Sequence, residues 1–128
     1  MRYEGNTADL DRTLMALADP VRRQIIERLR AGDARVTDVA AGFPISLNSV
    51  SKHIRLLERA ALVTRRVEGR EHYLSFKPEP LAGAQAWIAA QQDYWAGRLR
   101  AIDALLQAED AASAPVISKK EIENDEIR

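Results

Sequence analysis

The sequence predicts a mainly α-helical domain with one small β-hairpin. Helical patterns with apolar stripes fill the first half of the chain, two alternating segments then flank Glu68-Gly69-Arg70, and a long amphipathic segment follows. The 128 residues, 46 % of them apolar, are enough to bury one core. The expected element order is α-α-(β)-α-α-β-β-α.

The first two helices are expected at Thr7–Ala18 and Pro20–Arg30. Leucines recur at i, i+4 and i+7 from Leu10, which gives the first helix one apolar stripe. Asp19 precedes Pro20 at the start of the second helix. This order is typical of a helix start, because the carboxylate caps free N–H groups and proline needs no N–H partner at the first position.

A helix-turn-helix is expected next. Arg35-Val36 fits a short strand, and Thr37 is expected to cap a brief helix that ends at Gly42. After a turn, Ser46 is expected to cap a second helix, Leu47–Ala60.

A two-stranded hairpin follows this pair of helices. Its strands are expected at Leu62–Val67 and Glu71–Phe76, and Gly69 allows the turn between them. A helix-turn-helix with such a hairpin, or wing, is the winged helix-turn-helix arrangement. In that arrangement the second helix of the motif enters the DNA major groove, and the wing lies on the neighbouring backbone.

The last helix is expected from Leu81 to Gln107. Apolar residues recur every seven positions from Leu81, which predicts packing along another helix, such as that of a second subunit. The folded DNA-binding and dimerisation domain is therefore assigned to residues 1–107. Residues 108–128 are rich in small and charged residues, and we expect them to form a flexible acidic tail.

Charge is unevenly distributed although the formal net charge is zero. Positions 46–77 hold seven basic and three acidic residues, whereas positions 107–128 hold three basic and six acidic ones. At about 100° per residue, Val50, Ile54 and Leu57 fall on one side of their helix and are expected to be buried. The opposite side carries polar and basic side chains and no acid, which predicts contact with double-stranded DNA.

The residues expected to contact DNA lie on this face and on the wing. They are Ser46, Asn48, Ser49, Ser51, Lys52 and Arg55 on the helix, and Arg65, Arg66 and Arg70 on the wing. Arg65 and Arg66 point to opposite sides of the hairpin, so only one of them can face the duplex directly. Arg70, beside the turn glycine, is the stronger candidate for a phosphate or a narrow minor groove.

Other kinds of chemistry find little support. The chain has no cysteine, nucleophile elbow, phosphate loop or dinucleotide fingerprint, so neither catalytic residues nor a cofactor is expected. His53 and His72 form no recognisable metal site, and His53 is expected at the hydrogen-bonded rim of the core. Arg22 and Arg23 fit either phosphate contact or pairing with nearby acids.

No segment is long and apolar enough to span a membrane, and no secretory signal is evident, so a cytoplasmic protein is expected.

Two segments carry a resemblance to a known family. ALADPVRRQIIERL at Ala16–Leu29 and the stretch Ser46–Phe76 resemble the second helix and the recognition helix with wing of the ArsR/SmtB family of repressors. The resemblance extends over about Leu10–Leu106 and implies a homodimer, joined through its first and last helices, that represses promoters at an imperfect palindrome. The residues expected at that interface are Leu10, Leu14, Trp87, Ile88, Trp95, Leu99, Ile102 and Leu106.

One departure from the family pattern concerns metal. Metal-sensing members carry cysteines near the helix before the recognition helix, or aspartate and histidine pairs on the last helix. Here the corresponding segments read VTDVAAGF and AQAWIAAQQDYWAGRL, so no metal ligand is expected. Two alternatives stay open: a regulator that senses a small-molecule effector through its aromatic last helix, and a winged-helix protein-interaction module that does not bind DNA.

Overall fold

The computed structural model describes residues 7–113. It contains, in order, α1 (Thr7–Leu17), α2 (Pro20–Arg30), β1 (Ala34–Arg35), α3 (Val36–Ala41), α4 (Leu47–Arg59), β2 (Val63–Glu68), β3 (Glu71–Phe76) and α5 (Glu79–Ser113). The expected order and the mainly helical class with a small hairpin are confirmed. The chain divides into two compact units, Met1–Ala90 and Gln91–Arg128.

The strands form one antiparallel sheet in the order β1-β3-β2. Strands β2 and β3 pair from Val63 opposite Phe76 to Glu68 opposite Glu71, so they form the expected hairpin. Gly69 supplies the positive φ of 63° at its turn, as predicted. The two-residue strand β1 adds a third strand by pairing with β3.

The core of the first unit lies between the helices and the root of this hairpin. Val50, Ile54 and Leu57 have no exposed surface, so the predicted buried face of α4 is confirmed. Fully buried partners come from α2, α3, the α4–β2 turn and both hairpin strands: Ile25, Val39, Leu62, Val63 and Leu74. Burial of this many branched side chains is the main force that holds α4 in place.

The start of α3 differs from the sequence expectation. The strand covers Ala34–Arg35 rather than Arg35-Val36, and Val36 already belongs to the helix. Thr37 is therefore not the cap; Arg35 holds that position, with extended φ and ψ and no side-chain cap bond. Pairing of Arg35 with Tyr73 in the sheet fixes this boundary, and such a contact between distant residues is not visible in a local pattern.

Three other elements have ends that differ from those expected from the sequence. Helix α1 ends at Leu17, one residue before the predicted end. Strand β2 runs from Val63 to Glu68, one residue later than expected, because Leu62 still bonds through its N–H to the carbonyl of Leu57. Helix α5 continues to Ser113, six residues past the predicted end, through alanines that favour helix. From residue 114 onward, the predicted acidic tail lies outside the described residues.

The turn that ends α4 contains a strained alanine. Ala61 has φ of 58°, and its N–H bonds to the carbonyl of Glu58. A left-handed conformation costs an alanine about 1–2 kcal/mol, whereas glycine adopts it freely.

Ala61→Gly is therefore expected to raise the free energy of unfolding by roughly 0.5–1 kcal/mol, after allowance for the larger entropy of the unfolded chain. Ala60→Gly is the matched control, because Ala60 has φ of −82° and is buried. That change should lower stability. Urea unfolding measures both, and two changes of the same sign would contradict this interpretation.

Candidate nucleic-acid interface

Helix α4 begins at a side-chain cap. The Ser46 hydroxyl oxygen accepts a hydrogen bond from the Ser49 N–H at 3.1 Å and donates to the Ser49 hydroxyl at 2.9 Å. The predicted cap is thus confirmed. Both serines already use part of their hydrogen-bonding capacity on each other, which leaves one proton, on Ser49 Oγ, for a phosphate oxygen.

The face of α4 opposite its buried side is basic and exposed. Lys52, Arg55 and Arg59 line a shallow hollow of about 220 Å³ together with Leu56. Within residues 7–113, no acid forms an ion pair with any of these three cations. Unpaired cations on one helix face keep their full charge for an anionic partner.

The wing cations divide into two kinds. Arg70 is exposed at the tip and borders a hollow of about 200 Å³ that Ser51 and Thr37 also line. Arg65 and Arg66 are instead engaged by acids of the same chain. As DNA contacts, these two would first have to exchange those partners.

Arg65 and Arg66 do point to opposite sides of the hairpin. Arg65 contacts both carboxylate oxygens of Glu58 on α4, at 2.9 and 3.2 Å. Arg66 contacts Asp33 at 2.6 Å and Glu68 at 3.0 Å. Hydrogen bonds from Ser75 and Arg66 hold the pKa of Asp33 below its usual value, so this carboxylate stays charged and keeps Arg66 occupied.

A buried polar junction supports α4 from behind. The Arg22 guanidinium donates to the carbonyls of Met15 and Ala16, both at 2.9 Å, and lies 3.0 Å from His53 Nδ1. Arg23 donates to the carbonyl of Leu17 at 2.8 Å. Both arginines therefore complete the C-terminal end of α1, a role that the sequence interpretation missed. The sequence did hold a signal for this role, because arginines shortly after the end of a helix can bind its last carbonyl groups.

His53 lies at the rim of the core, as predicted. It is half-buried on α4, and its Nδ1 atom faces the Arg22 guanidinium. Because a guanidinium can only donate, Nδ1 is the acceptor in this contact when the His53 ring is neutral. The contact joins α4 to α2 and, through Arg22, to the end of α1.

Asp19 caps α2 as predicted. Its Oδ2 atom accepts from the N–H groups of Val21 and Arg22 at 2.8 and 3.1 Å. Burial alone would raise the pKa of Asp19, but these hydrogen bonds and the nearby charges outweigh burial and lower the pKa.

Asp19→Ala should cost about 1–2 kcal/mol of unfolding free energy at neutral pH, because two N–H groups lose their acceptor. Asp19→Asn is the control, since asparagine caps almost as well but carries no charge. The carboxylate's contribution is fully present above its unfolded pKa near 4 and is lost as pH falls through the lower folded pKa. Chemical denaturation between pH 7 and 3 should therefore show the wild-type advantage over Asp19→Asn shrinking in acid; a constant difference would contradict the assignment.

The residues predicted at a dimer interface are mostly exposed. In the first unit, Leu14, Trp87 and Ile88 each have more than a third of their surface exposed. Leu10 is only 8 % exposed, so it has little surface left to offer a partner. In the second unit the predicted residues are exposed by half or more: Trp95, Leu99, Ile102 and Leu106.

Neither a metal centre nor a membrane span is present in the described part of the chain. Within residues 7–113, no three histidine, aspartate or glutamate side chains converge in a way that suits a metal ion. None of the helices there combines the length and apolar character needed to cross a membrane.

Sequence comparison gives the same motif at the same place. The family described as a helix-turn-helix domain matches residues 17–66. An HTH-type transcriptional regulator of Mycobacterium tuberculosis is 36 % identical over 89 residues, which cover 66 % of this chain and 83 % of the relative. The transcriptional repressor SdpR of Bacillus subtilis is 30 % identical over 79 residues, covering 62 % of this chain and 88 % of that protein.

Solved structures extend the likeness to the fold. A crystal structure of an ArsR family transcriptional regulator has a TM-score of 0.68 and 35 % identity, covering 71 % of this chain and 94 % of that one. A homodimeric winged helix-turn-helix DNA-binding domain from Mycobacterium bovis has a TM-score of 0.54 and 26 % identity, covering 68 % and 82 % of the two chains. With its exposed basic helix and wing, the chain belongs to the ArsR family of winged helix-turn-helix, DNA-binding transcriptional regulators.

Proposed function

We propose that this regulator is a homodimeric repressor that acts in the cytoplasm at an imperfect palindrome in promoter DNA. The observation that carries the proposal is the row of exposed cations on α4, namely Lys52, Arg55 and Arg59, above a fully buried apolar face. A helix held rigidly from behind can enter a major groove without rearrangement. Its arginine and lysine side chains then reach guanine edges or phosphates.

The roles of individual residues follow from their surroundings. Arg55 and Asn48 lie on the exposed side of α4 and are proposed to read bases. Ser49, Ser51 and Lys52 are proposed to contact phosphates close to the helix start. Arg70 is proposed to hold the backbone beside the groove, since it lies exposed at the wing tip.

Dimerisation is supported by the exposed apolar side chains and by one relative. Trp95, Leu99 and Ile102 would remain in water in a single copy of the chain. Burial of such side chains against a second copy contributes about 1.5–3 kcal/mol for each fully covered residue. The similar domain from Mycobacterium bovis is homodimeric. Two-fold symmetry would place half-sites about one helical turn apart.

Repression is the proposed direction of control because one relative, SdpR, is a transcriptional repressor. A groove-filling dimer on a promoter also blocks access to that DNA without any further activity. No enzymatic step is proposed, since the relatives are transcriptional regulators.

Selection from a random duplex library with wild-type protein tests the proposal. We expect enrichment of an imperfect palindrome that binds two protomers per duplex in sedimentation. Transcription in vitro from a promoter that carries this sequence should then fall as protein is added. Failure to enrich any duplex would overturn the proposal.

A response to a small molecule is a second proposal. The observation that favours it is the exposed aromatic content of α5, where Tyr94 and Trp95 meet edge to face at 5.8 Å between ring centroids. Where the last helices of two copies meet, such rings would offer large, rigid surfaces to line a site for an apolar effector. A metabolite that shifts both the thermal midpoint and the DNA affinity would support it, and no shift across a broad panel would count against it. The protein-interaction module without DNA binding is not favoured, because the family binds DNA.

A further inference from the structure

We infer that Arg65 does not contact DNA but positions the wing, by clamping the Glu58 carboxylate of the recognition helix α4. The inference rests on the proposed DNA-binding function of α4 and the wing. It replaces the sequence-based assignment of Arg65 as a DNA contact with a role that acts through Arg70 at the wing tip.

All three guanidinium nitrogens of Arg65 are occupied. Nε and Nη2 donate to Oε2 and Oε1 of Glu58 at 3.2 and 2.9 Å, which is a bidentate pair. Nη1 lies 3.2 Å from His72 Nδ1 on the other strand of the hairpin. One side chain thus ties the recognition helix to β2 and β3 together.

The wing needs such a tie because little apolar burial holds its outer part. Val63 is buried at the start of β2, but Val67, the other apolar residue of that strand, is 59 % exposed. Both members of the Arg65–Glu58 pair keep less than a third of their side-chain surface exposed. A half-buried bidentate pair is screened less than a surface pair and fixes an orientation as well as a distance. It is therefore able to set the angle of the hairpin on α4.

Glu58 is otherwise difficult to explain. It is the one acid in α4, on a helix whose exposed side is basic. A free carboxylate near phosphates would repel DNA. Arg65 neutralises this carboxylate, and the hydrogen bond to Glu58 raises the pKa of Arg65, so the guanidinium keeps its positive charge in the pair.

The Glu58→Gln variant distinguishes positioning of the wing by Arg65 from simple repulsion between the Glu58 carboxylate and DNA. Removal of a negative charge beside the interface should strengthen DNA binding if charge alone matters. If the clamp positions the wing, binding of the duplex enriched by wild-type protein should weaken by about 5-fold, as expected on loss of a half-buried bidentate pair. Glu68→Gln is the matched control: it makes the same charge change in the wing, but its partner Arg66 lies on the same strand. That variant should bind as tightly as wild type or more tightly.

The double variant Glu58→Arg with Arg65→Glu exchanges the two charges and gives a second test. It restores an ion pair at the same place and should recover most of the affinity lost in Glu58→Gln. A failure to recover means that Arg65 itself meets the DNA, and the inference is then wrong. It is also wrong if Glu58→Gln binds as tightly as wild type, or if Glu68→Gln weakens binding equally.

A measurement on the free protein tests the role of Arg65 independently of whether the protein binds DNA. In the free protein, ¹⁵N relaxation should show lower order parameters at Gly69 and Arg70 in Glu58→Gln than in wild type or Glu68→Gln. Unchanged order parameters would overturn the clamp. If wild type enriches no duplex, the proposed function fails, while this comparison still decides whether Arg65 orders the wing.

Discussion

Arg55→Ala should lower affinity for the selected duplex by about 10- to 100-fold, while affinity for unrelated duplexes falls by only a fewfold. The reason is that a bidentate contact to a base edge discriminates by about 1–3 kcal/mol, whereas a phosphate contact carries no sequence information. Arg55 is exposed on α4, and no acidic side chain within residues 7–113 forms an ion pair with it. Its guanidinium N–H groups are therefore available to bind a guanine edge.

Arg70→Ala provides the contrast within the same assay. Its side chain lies at the wing tip, and we expect a similar loss on matched and mismatched duplexes, with a salt slope smaller by about one. Arg30→Ala serves as the charge control, because Arg30 is exposed at the end of α2, a helix that carries none of the proposed DNA contacts. Fluorescence anisotropy on matched and scrambled duplexes measures all three variants. Equal losses for Arg55→Ala on both duplexes would contradict base reading by α4.

Trp95→Glu should convert the protein to monomers and abolish tight operator binding. Trp95 is 60 % exposed in the single chain, and it belongs to the apolar series that repeats every seven residues along α5. A buried glutamate facing its own copy would be desolvated and repelled, which costs several kcal/mol. Sedimentation velocity measures the change.

Leu105→Glu is the matched control for this prediction. Leu105 is also exposed on α5, but it lies outside the predicted interface series. The same change from an apolar to an acidic side chain should therefore leave the dimer intact. If Trp95→Glu still sediments as a dimer, the interface assignment is wrong; if both variants dissociate, the interface is broader than predicted.

The predictable parts of the fold are those that local chemistry decides. A serine before an amphipathic helix predicted the cap at Ser46, and apolar spacing predicted the buried face that contains Val50, Ile54 and Leu57. The glycine between two alternating segments predicted the hairpin turn at Gly69. Each of these signals lies within a stretch of 15 residues.

The parts that were not predictable depend on residues brought together by the fold. Arg22 meets His53, 31 positions away, and Arg66 meets Asp33, 33 positions away. The Arg65–Glu58 pair forms across the turn at Ala61, where the chain reverses with a positive φ. A charge count treats all these arginines as equal. The structure shows that Arg22, Arg65 and Arg66 bind groups of the same chain, whereas Arg55 forms no ion pair within residues 7–113.

Cations on α4 and at the wing tip are expected to bind DNA phosphates and bases, and the salt dependence of wild-type binding measures that contact. Anisotropy titrations of the selected duplex from 50 to 400 mM KCl, about the range over which counterion release dominates, give the slope of log K against log salt. We predict a steep negative slope, roughly −4 to −8 for a dimer that neutralises a similar number of phosphates. A slope near zero, with affinity unaffected by Lys52→Ala and Arg70→Ala, would show that these cations do not bind DNA.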